Sequence, residues 1–170
     1  MNIKLSLSIL TIALFAGCGQ KSLNYDLKPN FMPDSNKSCM VLPFNNLTTN
    51  IAASDAVAGF FATELKRKNI CTVIEKSDTK QKQFDIKQAI EFGKKQGVDY
   101  VFVGSVSEYN YQYGLREDPA VGISAKMISV TSGDVIWSGD EGRVGRSFLM
   151  RDSLDATAID SVKSLISTIK

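Results

Sequence analysis

In DYVFVGSV, Asp99 to Val106, apolar side chains fall on both faces of an extended chain. Such a strand has to be covered on both sides, which places it inside a sheet packed by helices. Toward the C-terminus it continues as SEYNYQY, Ser107 to Tyr113. Val121 to Val130 and Val135 to Trp137 read as strands around Thr131-Ser132-Gly133-Asp134, a hairpin turn in which Gly133 takes positive φ. In Val121 to Met127 the odd positions are apolar, and then Ile128 and Val130 take over. That shift predicts a bulge or burial on both faces. A last helix, about Arg151 to Ile169, puts Leu154, Ala158, Val162, Leu165, Ile166 and Ile169 on one side.

Toward the N-terminus, a helix opens at Asp85, turns Ile86, Ala89, Ile90 and Gly93 inward, and closes at Gly97. Lys76 to Phe84 is a loop, and Ile70 to Glu75 a strand. A helix capped by Ser54 runs to about Lys68 with Val57, Phe60, Phe61 and Leu65 on one face. Lys66, Arg67 and Lys68 suit the negative end of its dipole. CMVLPF, Cys39 to Phe44, is a buried strand with Pro43 at its end or at an edge, and Asn45 to Asn50 is a loop. The order βαβαβββα over residues 39–170 predicts a single α/β domain with a mixed sheet. Gly104 is expected to thin the central strand for a crossing helix.

The segment before the domain reads differently. Gly19 to Ser38 is mostly polar, with Pro29 and Pro33, and residues 18–38 are expected to be a flexible tether. Its mean reach as a coil is about 25 Å. In residues 1–17, Lys4 precedes Leu5 to Ala16, apolar apart from Ser6, Ser8 and Thr11. As a helix this run reaches about 18 Å, short of the roughly 30 Å hydrocarbon core, so it reads as a signal peptide and not a lasting span. Phe15-Ala16-Gly17-Cys18 resembles the bacterial lipobox, with Phe15 where Leu is usual. The resemblance implies cleavage before Cys18 and a covalent diacylglyceryl lipid on its thiol, the only attached group expected. Gly19, where Asp would signal retention, implies the outer membrane, with the domain facing the periplasm.

The formal net charge is +2 and there is no His. The balance gives no drive toward phosphate, so nucleic acid is not expected as a partner. Lack of His removes Ser-His-Asp and Cys-His catalysis and most zinc and haem sites; no metal, cofactor or small-molecule substrate is indicated, and the chain reads as a non-enzyme. Cys39 and Cys71 form an even remainder in an exported chain, each at the start of a strand. They read either as a disulfide or as two small buried residues.

Tyr109, Tyr111 and Tyr113 alternate with polar residues, so their rings share one side of a strand, with Arg116 close behind. Tyr and Arg favour interfaces, which makes this flank a candidate partner surface. The alternative is that the rings cover a flank of the sheet beneath a helix. The amides of Asn45 to Asn50 are a second candidate.

Three stretches carry a family resemblance: VLPFNNLT (Val41 to Thr48), GKKQGVDYVFVGSVSEY (Gly93 to Tyr109) and ISAKMISVTSGDVIWSGD (Ile123 to Asp140). Together they resemble the CsgG-like group of exported lipoproteins. That group includes the curli secretion channel, the penicillin-binding-protein activator LpoB, the flagellar lipoprotein FlgO and, more remotely, the N-terminal domain of TolB. It implies this α/β fold and an envelope protein partner, with homo-oligomerisation open. The function expected first is an accessory or assembly subunit for curli-type secretion or flagellar outer-membrane assembly. The alternative is a regulator of a peptidoglycan synthase. Gly114 to Ala120 and Gly142 to Met150 are too short for a membrane hairpin, whose strands need about 9–11 residues each, so the chain is not expected to form a pore.

Overall fold

The computed structural model describes residues 21–74, 83–112, 117–145 and 152–170. In chain order the elements are β1 (Lys21–Leu27), β2 (Ser38–Val41), β3 (Asn45–Asn46), α1 (Ala53–Lys68), β4 (Thr72–Val73), α2 (Ile86–Gln96), β5 (Tyr100–Gln112), β6 (Asp118–Ser129), β7 (Val135–Val144) and α3 (Leu154–Ile166). The strands make one open sheet in the order β1-β7-β6-β5-β2-β4, with β3 alongside β5. β5 is the interior strand that its apolar composition demands. It pairs antiparallel with β6 and parallel with β2 and β3. The sheet is therefore mixed, and the expected βαβαβββα order is present within it.

α1 and α3 pack on one face. Phe61 and Leu65 from α1 and Val162, Leu165 and Ile166 from α3 meet Phe44, Phe102 and Trp137 there. α2 packs on the other face, where Ala89 meets Met40, Leu42, Val101, Ile128 and Val130. The apolar shift along β6 reflects burial on both faces, and the β6–β7 register also shifts between Met127 and Ile128: Val121, Ile123, Ala125 and Met127 face α1 and α3, whereas Ile128 and Val130 lie under α2. α2 approaches closely at Gly93, where a Cβ would lie 2.7 Å from Val130 and 2.8 Å from Val101. Gly104 has another neighbour than the crossing helix expected. A Cβ there would lie 2.4 Å from the Ser124 carbonyl oxygen and 2.6 Å from the Phe44 ring.

Local signals explain most helix ends. Asp85 accepts from the Gln88 amide and Gln88 returns the bond, a capping box. Gly97 closes α2 at φ 67°. α1 departs from expectation: Ser54 lies within the helix and donates its hydroxyl to the Phe44 carbonyl, while Ala52 is the cap residue. α3 begins after Ser153, whose hydroxyl accepts from the Ala156 amide.

The largest correction concerns the tether. Lys21–Leu27 is a strand that pairs with β7 along its whole length, from Lys21 opposite Arg143 to Leu27 opposite Trp137. Leu23 and Leu27 pack against the main core, and β7 would otherwise end the sheet with an unpaired edge. The sheet thus includes Lys21–Leu27, and the folded part of the chain does not begin at residue 39.

Candidate partner-binding surface

The tyrosine flank is decided by a bulge. The register of β5 on β6 shifts between Val106 and Glu108, so one extra residue reverses which side chains face the helices. Tyr109 is thereby brought onto the face of Val106, where it is 3% exposed. Its hydroxyl donates to the Asp155 carboxylate at the start of α3. Burial first, and that bond second, push the phenol well above its usual range. Tyr109 is a core residue, and its place on a partner surface is withdrawn. Tyr111 is 45% exposed, and its hydroxyl oxygen accepts from the Leu154 amide at 3.3 Å. The two rings together hold the first turn of α3 against β5. Tyr113 and Arg116 lie outside the described residues.

The loop after β3 presents a better surface, by a route that amide composition did not reveal. Asn46 Oδ1 accepts from the Thr48 amide at 2.9 Å and from its hydroxyl at 2.8 Å. Asn46 Nδ2 donates to the Asn50 carbonyl at 2.7 Å, and Asn50 Oδ1 accepts from the Ala52 amide at 3.0 Å. The Leu47 amide ties the loop to β5 through the Val106 carbonyl at 2.9 Å. The polar side chains are thus spent inside the loop, and the residues between them point outward. Leu47 is 61% and Ile51 93% exposed. Two large apolar side chains on a loop already fixed by hydrogen bonds lose little entropy on binding, the property of an interface anchor. The signal available in the sequence was the alternation Asn46, Thr48, Asn50 against Leu47, Thr49, Ile51.

Next to this loop, on the α2 face of the sheet, lies a cleft of about 600 Å³. It is bordered by Phe84 to Ile86 and by Asn45, Ser105, Ser124, Lys126, Ser138 and Asp140. Asn45 Oδ1 is buried there without a hydrogen-bond partner. Among the described residues no three His, Cys, Asp or Glu side chains converge as a metal set.

Cys39 and Cys71 are joined by a disulfide with Cα atoms 5.9 Å apart. β2 and β4 are parallel neighbours, Ser38 opposite Thr72, which puts the two cysteines within bonding reach. Both are buried, and the bond lies at the foot of α1, away from the Leu47 and Ile51 loop. Cys18 precedes the described residues, and no helix among them is long and apolar enough to cross a membrane.

A model of the family described as peptidoglycan-synthase activator LpoB matches residues 36–142, a span that contains the loop and the central strand. No curated protein matches in direct sequence comparison. Among solved structures, the PelC dodecamer from Paraburkholderia phytofirmans is 23% identical with a TM-score of 0.74, covering 88% of this chain and 97% of that one. Lipoprotein GNA1162 from Neisseria meningitidis is 18% identical at TM-score 0.54, covering 78% and 99%. The LpoB C-terminal domain from Salmonella enterica is 17% identical at TM-score 0.53, covering 69% and 87%. These identities bear on the fold alone. The family match overturns the order of functions expected from the sequence: the chain falls with synthase activators, and the curli-type or flagellar assembly role is set aside.

Proposed function

The chain belongs to the peptidoglycan-synthase activator LpoB family, and from that membership we propose that it is a non-enzymatic regulator of a peptidoglycan synthase, held in the outer membrane by lipid on Cys18. The family match over residues 36–142 carries this reading. The exposed Leu47 and Ile51 supply the anchor. A regulator of this kind acts by binding the active conformation of its synthase more tightly than the resting one, so it needs a rigid docking surface and no chemistry of its own. The PelC neighbour is a dodecamer; on that ground we add self-association as a secondary property, with synthase binding as the primary one.

The test is a titration of a peptidoglycan synthase from the same organism with the domain and with Ile51→Asp. Loss of a central apolar anchor costs about 2 kcal/mol or more, a roughly 30-fold weaker Kd. Equal affinity of the two proteins would remove the loop from the interface. Absence of binding by either would remove the synthase.

A further inference from the structure

We infer that the folded domain lies directly against its own membrane, with the end of the sheet around Lys21 and Gln112 apposed to the lipid surface and the opposite end projecting away. The inference rests on the proposed lipid at Cys18, and what it adds is carried by β1. That strand is paired to β7 from its first residue, Lys21 opposite Arg143. Only Gly19 and Gln20 separate Lys21 from Cys18, three residue steps in all. Whatever their conformation, they span at most about 10 Å. A coil across residues 18–38 would have let the domain wander by tens of ångströms and tumble freely; the ladder removes that freedom.

The register identifies the apposed end. Lys21 pairs with Arg143, Arg143 with Val121, and Val121 with Tyr109. The free ends of β5 at Gln112 and of β6 at Asp118 therefore lie on the same side as the anchor. So does the start of α3, where Leu154 meets the half-exposed Tyr111. At the far end lie Leu27, the turn after Ser129, and the start of β5 at Tyr100. Twelve steps of β5, at about 3.3 Å each, set the two ends roughly 40 Å apart. The Leu47 and Ile51 loop joins β5 at Val106, six residues short of Gln112. It therefore sits about 20 Å from the membrane end. A partner that docks there has to come to within that distance of the anchoring membrane, because no slack in this chain carries the loop outward.

The experiment uses full-length lipidated protein in phosphatidylethanolamine–phosphatidylglycerol vesicles carrying an acceptor dye. A donor dye is placed on Ser22→Cys, beside the anchor, or on Lys28→Cys, at the far end of β1. Incorporation of labelled fatty acid at Cys18 is scored on the same samples. Energy transfer severalfold stronger from position 22 than from position 28 is the expected result. Equal transfer from the two, or the reverse order, with lipid present at Cys18, would overturn the orientation and leave the anchor standing. Absence of lipid at Cys18 would overturn both. Asn24→Pro supplies a second reading. It removes a ladder donor from an edge strand while the other strands retain their pairing, so β1 should detach and become slack. Transfer from position 22 should then stay high and that from a label on Asp134→Cys should become variable in lifetime. A single unchanged lifetime at 134, in a variant whose β1 is shown to be protease-sensitive, would contradict the role given to β1.

Discussion

Reduction of the Cys39–Cys71 bond should lower stability by an amount that the loop it closes determines. The two residues are 32 apart in sequence. Opening a loop of that size returns about 3.7 kcal/mol of conformational entropy to the denatured chain in the chain-entropy model, within the usual 2–4 kcal/mol. Both sulfurs are buried, so the two thiols formed by reduction stay in contact with the same neighbours and native-state losses are small. For a domain of this size 1 kcal/mol moves the melting midpoint by about 2–4 °C, so the shift should be about 10 °C. The assay is a circular-dichroism melt of the domain with and without reductant, paired with free-thiol counts in denaturant. The double variant Cys39→Ala, Cys71→Ala should melt near the reduced protein. Two reactive thiols in denatured, unreduced protein would refute the bond. A full complement of thiols after reduction with an unchanged midpoint would refute the energetic argument.

Three further outcomes follow from particular contacts. Tyr109→Ala should cost about 3–5 kcal/mol as a buried aromatic, whereas Tyr111→Ala should cost about 1 kcal/mol, the loss of one weak helix-start bond, as read by chemical denaturation. Gly104→Ala should cost about 1–3 kcal/mol or prevent folding, because the Ser124 carbonyl and the Phe44 ring occupy the space of its Cβ. Asp99 accepts from the Ser38 amide at 2.8 Å, from the Ser38 hydroxyl at 2.9 Å and from Lys37 Nζ at 3.2 Å. The Ser38 amide first, then the Ser38 hydroxyl and Lys37, hold its carboxyl below the usual range against the opposing effect of burial. A depressed carboxyl contributes stability that is complete above its unfolded pKa, about 4, and is lost as pH falls through the lower folded value. Wild type should therefore lose more stability than Asp99→Asn between pH 6 and pH 3; parallel pH curves would remove Asp99 from the acid response.

Much of the fold is legible in residue order because its signals are local. DYVFVGSV demands cover on both faces and receives it. Asp85 and Gly97 bound α2 through a capping box and a left-handed closing residue. Gly133 takes φ 77° in the turn before β7. What stayed hidden depends on distant partners. Leu23, Tyr25 and Leu27 alternate as a strand should, but Lys21 and Ser22 before them and Asn24 and Asp26 between them give little strand propensity; the ladder offered by β7 makes the strand. The common side of the tyrosine rings follows from alternation, whereas the side itself is chosen by a bulge at Val106 that no residue type announces. The loop amides looked like binding groups, and their hydrogen bonds to the loop's own backbone leave Leu47 and Ile51 facing outward instead.

Regulation of a peptidoglycan synthase is read out most directly as synthase rate. Glycan polymerisation and peptide crosslinking by the organism's synthases would be followed with lipid-linked precursor, with and without the domain beginning at Lys21. At least one synthase should be accelerated severalfold and saturably, and Ile51→Asp should require about 30-fold more protein for the same effect. Unchanged rates for every synthase of the organism, at concentrations where the domain is folded and in excess, would contradict the proposed regulation.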